Sequence, residues 1–283
     1  MIQVVKKRYK RIIFQYLFLS VGIFILFLNI YGEFQSLRNN HIYCEKLPGL
    51  KDIKYSEKQF RDSVRVLFKS DYQDKEKVRK SVHFVNRAMA HYWRDEGITK
   101  YNLRVPVYEN YILFLVNYLY PKSFPKAYMI RKYEFCDYDK AIERGVGLCS
   151  QHATVLSRLL NKHDIQCQVL RLDGHVVAYA EVDSVKKKWW VLDADYGVIL
   201  PYSLSDIEKD TSLIGFHYEY KGYPNTIVTK LMDIFGKNGN ILFEDAYSYF
   251  GWRDFFERFC YFLKWAIPIF FLLISFLLIV KLL

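Results

Sequence analysis

Three residues of the types used in thiol chemistry follow one another along the chain: Cys149, His175 and Asp193. Such chemistry needs a stabilised thiolate, a base within reach and a group that fixes the base in orientation. Cys149 follows "RGVGL" and opens "CSQHATVLSRLL", where Ala153, Leu156, Leu159 and Leu160 fall on one helical face. A helix N-terminus carries partial positive charge and lowers the pKa of a cysteine placed there. Gly145 and Gly147 permit a sharp turn and a close approach by a substrate backbone. The Cys149 N–H can then face a developing oxyanion.

His175 follows Gly174 and opens "HVVAYAEV". The alternation puts His175, Val177, Tyr179 and Glu181 on one face and Val176, Ala178, Ala180 and Val182 on the other. At the strand start the His175 imidazole can face an open cleft instead of the packed face. Asp193 ends "KWWVLD". Its relation to His175 depends on strand register. A three-residue turn over 184–186 pairs Asp183 with Lys187 and sets Asp193 opposite Val177, diagonal to His175 on the same face. Asp195 then falls directly opposite His175 and is a second candidate. A slip of one residue would turn Asp193 to the wrong face.

The bland alternative makes Cys149 a small apolar core residue; a histidine and an aspartate in order favour an active-site triad. Cys167, on a strand, is expected to be structural. His152, one turn from Cys149, can hydrogen-bond in the site, but is expected to face solvent or support packing. His83 and His91 lack the i,i+4 spacing of a metal pair, and Asp193 with Asp195 lacks the further ligands of a calcium loop. No metal or other cofactor is expected.

These residues need elements to hold them. "SEKQFRDSVRVLF" begins with a capping box, Ser56 and Gln59, and carries Phe60, Val64 and Leu67 on one face. Val78, Val82, Val85, Met89 and Tyr92 extend a second helix toward Gly97, and "ENYILFLVNYLYP" is a short apolar helix expected in the core. Strands are expected at 165–172, 175–182 and 188–194. Helices first and an antiparallel sheet afterwards indicate an α+β domain.

With these elements placed, "GVGLCSQHATVLSRLL", "GHVVAYAEV" and "KWWVLDADYG" together resemble the transglutaminase-like superfamily of papain-related enzymes. The resemblance covers about 140–200. It implies a papain/transglutaminase-like core of helices packed on an antiparallel sheet. It also implies Cys149 as nucleophile, His175 as general base and acid, and Asp193 as orienter. Ala194 stands where many members have proline. Gln151 is a candidate for the oxyanion side chain.

Residues 12–31 contain no charge, and neither do 265–280. Twenty residues of helix span roughly 30 Å, the thickness of a bilayer core, so both segments read as transmembrane helices. A cleaved signal peptide is the rival for the first, but its apolar run is long and no small-x-small cleavage site follows. Lys6, Lys7, Arg8, Lys10 and Arg11 precede the first span and place the N-terminus in the cytoplasm. The domain order is a basic N-terminus (1–11), a span (12–31), a juxtamembrane linker (32–55), the transglutaminase-like domain (56–202), a C-terminal extension with an amphipathic helix (203–264), and a second span (265–283). Both termini would be cytoplasmic and the domain extracytoplasmic. The part between the spans carries a net charge of about +5, against +11 for the whole chain. That is too mild to indicate nucleic acid. Five cysteines at irregular intervals do not form a disulfide scaffold, and Cys44–Cys136 is the one pairing to consider.

The expected function is a membrane-anchored peptidase, amidase or acyltransferase. It would act through a thioester on a peptide, a peptidoglycan stem or another surface polymer. The alternative is a non-catalytic binding or assembly module within a membrane complex.

Overall fold

The computed structural model describes residues 2–38, 53–91, 103–119, 133–236 and 239–280. Among these the chain forms two compact units: Met1–Asn39, Arg104–Tyr133 and Phe255–Leu283 make one, Asn40–Leu103 and Glu134–Asp254 the other.

The first unit holds α1 (Ile2–Glu33), α4 (Tyr111–Leu119) and most of α11 (Trp252–Val280). Helices α1 and α11 are both long and apolar enough to cross a bilayer. They run antiparallel. Ser275 Oγ donates to the Gln15 carbonyl at 3.2 Å, the Phe18 and Phe271 rings lie 5.6 Å apart, and a side chain at Gly22 would meet Leu272 at 3.1 Å. Small residues let helix backbones approach this closely. At one end of the pair the Lys264 ammonium donates to Glu33 at 2.9 Å, and Asn29 donates to the Lys264 carbonyl at 2.5 Å. Glu33 and Lys264 lie just past the uncharged runs of their helices, so the runs are level. Helix α4 was expected in the core of the α+β domain. It belongs instead to this unit, with Leu115, Tyr118 and Leu119 exposed.

The second unit is mixed α+β, around a five-stranded sheet ordered β6-β5-β4-β3-β7. The strands are β3 (Cys167–Arg171), β4 (Val176–Asp183), β5 (Lys188–Asp193), β6 (Val198–Leu200) and β7 (Ile241–Phe243), all antiparallel to their neighbours. Helix α2 (Glu57–Lys69) starts with the expected capping box, Ser56 accepting from the Gln59 N–H and the Gln59 side chain accepting from the Ser56 N–H. Helix α3 (Asp74–Ala88) ends well before Gly97. The chain turns extended after it, so that β1 (Ala90–His91) pairs in parallel with β2 (Val146–Gly147). The helical spacing gives way after Met89 to that pairing. Tyr92, like Cys44 of the considered disulfide and most of the expected linker, lies outside the described residues.

One sheet face is covered by α3 and by α6 (Cys149–Asn161), with Val169 and Val176 packed against Ala153 and the Arg79 guanidinium 5.3 Å over the Trp190 ring. The other face carries Val177 and Val191. It is closed by α7 (Leu204–Lys209), α8 (Ser212–Tyr220) and α9 (Asn225–Gly236), through Ile207, Ile214, Tyr218, Leu231 and Phe235. Residues set apart as a C-terminal extension thus supply much of the packing on that face, and β7 adds an edge strand to the sheet.

Between α5 (Tyr138–Arg144) and α6 the chain makes the glycine turn that delivers Cys149. Gly145 caps α5 in the left-handed region at φ 69°, where a Cβ is unfavourable. Gly147 is tightly packed: a Cβ there would lie 2.5 Å from the Gln151 Cβ. Replacing Gly147 by alanine should therefore destabilise the second unit by about 1–3 kcal/mol through overpacking. Denaturant titration followed by tryptophan fluorescence measures this, and an unchanged midpoint would show that the turn has slack.

Candidate functional site

Cys149 is the first residue of α6, after Leu148, and its side chain is half-buried. The Leu148 carbonyl accepts from the N–H groups of Gln151 and His152, at 2.9 and 3.2 Å, which sets the first turn tightly. His175 stands just before β4, where its carbonyl accepts from the Leu172 N–H at 2.8 Å across the tight turn at Gly174. Gly174 takes φ 87°, which few other residues adopt.

The β4–β5 register decides the third member. Ala178 pairs with Leu192, Tyr179 with Val191 and Ala180 with Trp190. One step further along this ladder sets Asp193 beside Val177, as expected. The hairpin turn differs: Asp183 pairs with Lys188, not Lys187, and a bulge between Glu181 and Asp183 absorbs the extra residue. The parity of Asp193 survives, and its Oδ2 accepts from His175 Nε2 at 2.8 Å. That bond leaves His175 Nδ1 as the nitrogen for Cys149. A ring nitrogen of His175, Cys149 Sγ and a carboxylate oxygen of Asp195 lie within 4.8 Å of one another.

Asp193 is fully buried and receives two further hydrogen bonds, from the Tyr218 hydroxyl to Oδ2 at 2.8 Å and from the Tyr196 N–H to Oδ1 at 3.1 Å. Burial beside this carboxylate pushes the Tyr218 hydroxyl well above the usual phenol range, so it stays a donor. The Tyr196 ring meets His175 edge-on, with centroids 5.5 Å apart, and Tyr223 donates to the Tyr196 carbonyl at 2.9 Å. A tyrosine wall therefore encloses the His–Asp pair.

For His175, burial disfavours the imidazolium, but the Asp193 charge and hydrogen bond, with Cys149 beside it, overcome this and hold its pKa well above the ordinary value. Cys167 differs from Cys149: it is fully buried in β3, and burial pushes its thiol up to about 12, in keeping with the structural role expected for it.

Asp195, the second candidate for orienting His175, is held elsewhere. Its Oδ1 meets His91 Nδ1 and lies 3.3 Å from His152 Nδ1, while Asn86 donates to its backbone carbonyl at 2.8 Å. Burial would raise the pKa of the Asp195 carboxyl, but His152 and His91, with His175 nearby, lower it below the usual carboxylate value. His152 is buried, not solvent-facing, and its Nε2 lies 3.3 Å from the Met89 carbonyl. Gln151 is a structural tie: its amide donates to the Phe135 carbonyl at 2.9 Å and its oxygen accepts from the buried Arg144 at 3.3 Å. Tyr218 and the place of His91 beside Asp195 escaped the sequence, because only tertiary packing brings them to the site; His152 was readable as a neighbour from its position one turn after Cys149.

Comparison with protein-family models, with curated proteins and with solved structures finds no match. The chemistry of the site therefore rests on its own geometry. A cysteine at a helix start, an imidazole beside it and a buried carboxylate behind the imidazole form a Cys-His-Asp cluster compatible with a papain-like triad.

The raised His175 pKa has a sign that can be tested. Its contribution to stability is fully present below the unfolded value of 6.5 and is lost as pH rises through the higher folded value. Asp193→Asn should remove that loss and cost about 1.5–3 kcal/mol at pH 6, the range for a hydrogen bond to a charged group. Denaturant unfolding of the detergent-solubilised protein across pH 5–10 checks both outcomes.

Proposed function

We propose that the chain is a membrane-anchored thiol enzyme with a transglutaminase-like, papain-related core. The observation that carries this is the order of contacts at the site: Cys149 at the N-terminus of α6, His175 beside it, and Asp193 holding the far nitrogen of His175 at 2.8 Å.

His175 takes the Cys149 proton, and the thiolate so formed is stabilised by the imidazolium and by the partial positive charge of the helix start. The thiolate attacks an amide or related acyl carbon, and the Cys149 N–H at the start of α6 stabilises the oxyanion. The imidazolium then protonates the leaving amine, giving a thioester on Cys149. His175 next takes a proton from water or an acceptor amine, which attacks the thioester. The C–S bond breaks, the product is released, and the Cys149 sulfur leaves as thiolate and regains its proton from His175. Asp193 keeps the ring oriented and offsets its charge throughout. Peptides, peptidoglycan stems and other surface polymers carry the required amide bonds, and hydrolysis is the preferred outcome because water is always present.

The anchoring rests on α1 and α11. Their antiparallel contact, the level polar boundary at Glu33 and Lys264, and exposed Phe24, Phe27, Phe270 and Phe276 suit a helical hairpin in lipid. Packing of Gly22 against Leu272 favours an anchor that is retained over a signal peptide that is removed. With the basic flank cytoplasmic, both termini lie on that side and the catalytic unit outside.

Iodoacetamide labelling near neutral pH separates an enzyme from a binding module. Cys149 should react at least tenfold faster than in the His175→Ala variant, and Cys167 should stay unlabelled in the folded protein. Equal rates with and without His175 would refute the thiol enzyme. Independently, a reporter fused near residue 100 should be active only outside the cytoplasm; activity confined to the cytoplasm would invert the topology.

A further inference from the structure

Asp195 is not needed to orient His175, since Asp193 does that, yet it is buried against the same site. Its side chain is almost wholly enclosed. Oδ1 is occupied by His91 and His152, whereas Oδ2 is buried with no hydrogen-bond partner. An acceptor buried without a donor is costly, so a chain that keeps one gains when a cation fills the place.

We infer that Cys149, His175 and Asp195 form a site for a thiophilic divalent cation, zinc foremost, whose binding silences the thiol. The three donor atoms lie within 4.8 Å of one another, and tetrahedral zinc, with bonds of about 2.0–2.3 Å, draws its ligands to about 3.3–3.8 Å. Closure therefore needs side-chain movements of an ångström or so, with no change of backbone. Thiolate, imidazole and one carboxylate form a zinc-like donor set; calcium and magnesium require more oxygens.

The surrounding groups suit a metal site as well. Asp193 accepts from His175 Nε2 and so leaves the Nδ1 lone pair for a metal, the carboxylate–histidine arrangement that supports zinc ligands. His91 and His152 brace the other oxygen of Asp195. Asn86 fixes the loop through the carbonyls of Ala194 and Asp195, at 3.1 and 2.8 Å. Binding releases the proton shared by Cys149 and His175, because the metal takes the thiolate and the free imidazole nitrogen. A fourth position stays open for water. Occupancy blocks attack by sulfur, so the regulatory meaning rests on the proposed thiol chemistry, while the binding itself does not.

The test uses the full chain in detergent. One equivalent of cobalt(II), a spectroscopic substitute for zinc, should produce a thiolate-to-cobalt charge-transfer band, and zinc should displace it. Cys149→Ser should abolish the band; its persistence would place the metal elsewhere and overturn the inference. Zinc should slow iodoacetamide labelling of Cys149 at least tenfold, with recovery on adding chelator. In Asp195→Asn that protection, the ratio of rates without and with zinc, should fall below twofold. Unchanged protection would overturn the role of Asp195, and labelling unaffected by excess zinc would overturn the site. A cobalt band on a thiol with no enhanced reactivity would refute the enzyme and keep the metal site. A reactive thiol with no band would do the reverse.

Discussion

The Asp193 carboxylate, fully buried and bound by His175, Tyr218 and the Tyr196 backbone, is the constraint around which the second unit is arranged. A charge taken out of water is tolerable only when its acceptor positions are filled. Each donor comes from a different element: the turn before β4, helix α8 and the loop after β5. The sheet must therefore be closed on the Val177 face before the carboxylate is satisfied, and the helices that close it belong to the stretch after residue 203. Core packing and site chemistry are one problem here. The apolar side chains that exclude water from Val191 and Phe235 also exclude it from Asp193.

Around that centre the site divides between two carboxylates with different partners. Asp193 faces an imidazole and two neutral donors; Asp195 faces His91 and His152. Two negative charges two residues apart would repel strongly at this depth if both served one histidine. Separate sets of partners let both remain, one to hold a ring and the other beside the sulfur.

Much of this was legible in the sequence where the physics is local. The capping box at Ser56, the three alternating strands, the helix opening at Cys149 and the turn at Gly174 each follow from neighbours along the chain. The facing of Asp193 was readable through strand parity, even though the turn was counted one residue short. What was not legible depends on distant packing. Tyr218 looked like one aromatic among many, and the end of α3 is set by β1 pairing with β2, against a helical spacing that continues to Tyr92. The close packing of Gly147 against Gln151 was likewise not readable from the turn alone. The closing of the Val177 face by α7, α8 and α9 was also beyond what the strand alone could show.

The bulge between Glu181 and Asp183 has a wider consequence. The hairpin carries one residue more than the register requires, and the bulge discharges it before the ladder reaches Ala180 and Trp190. Turn length is thereby insulated from the alignment of Asp193. The tip bears Val185, almost fully exposed, and leads nowhere into the core. Here the chain can lengthen, take up a foreign sequence or acquire a tether for another molecule, and the carboxylate at the far end of the strand keeps its place.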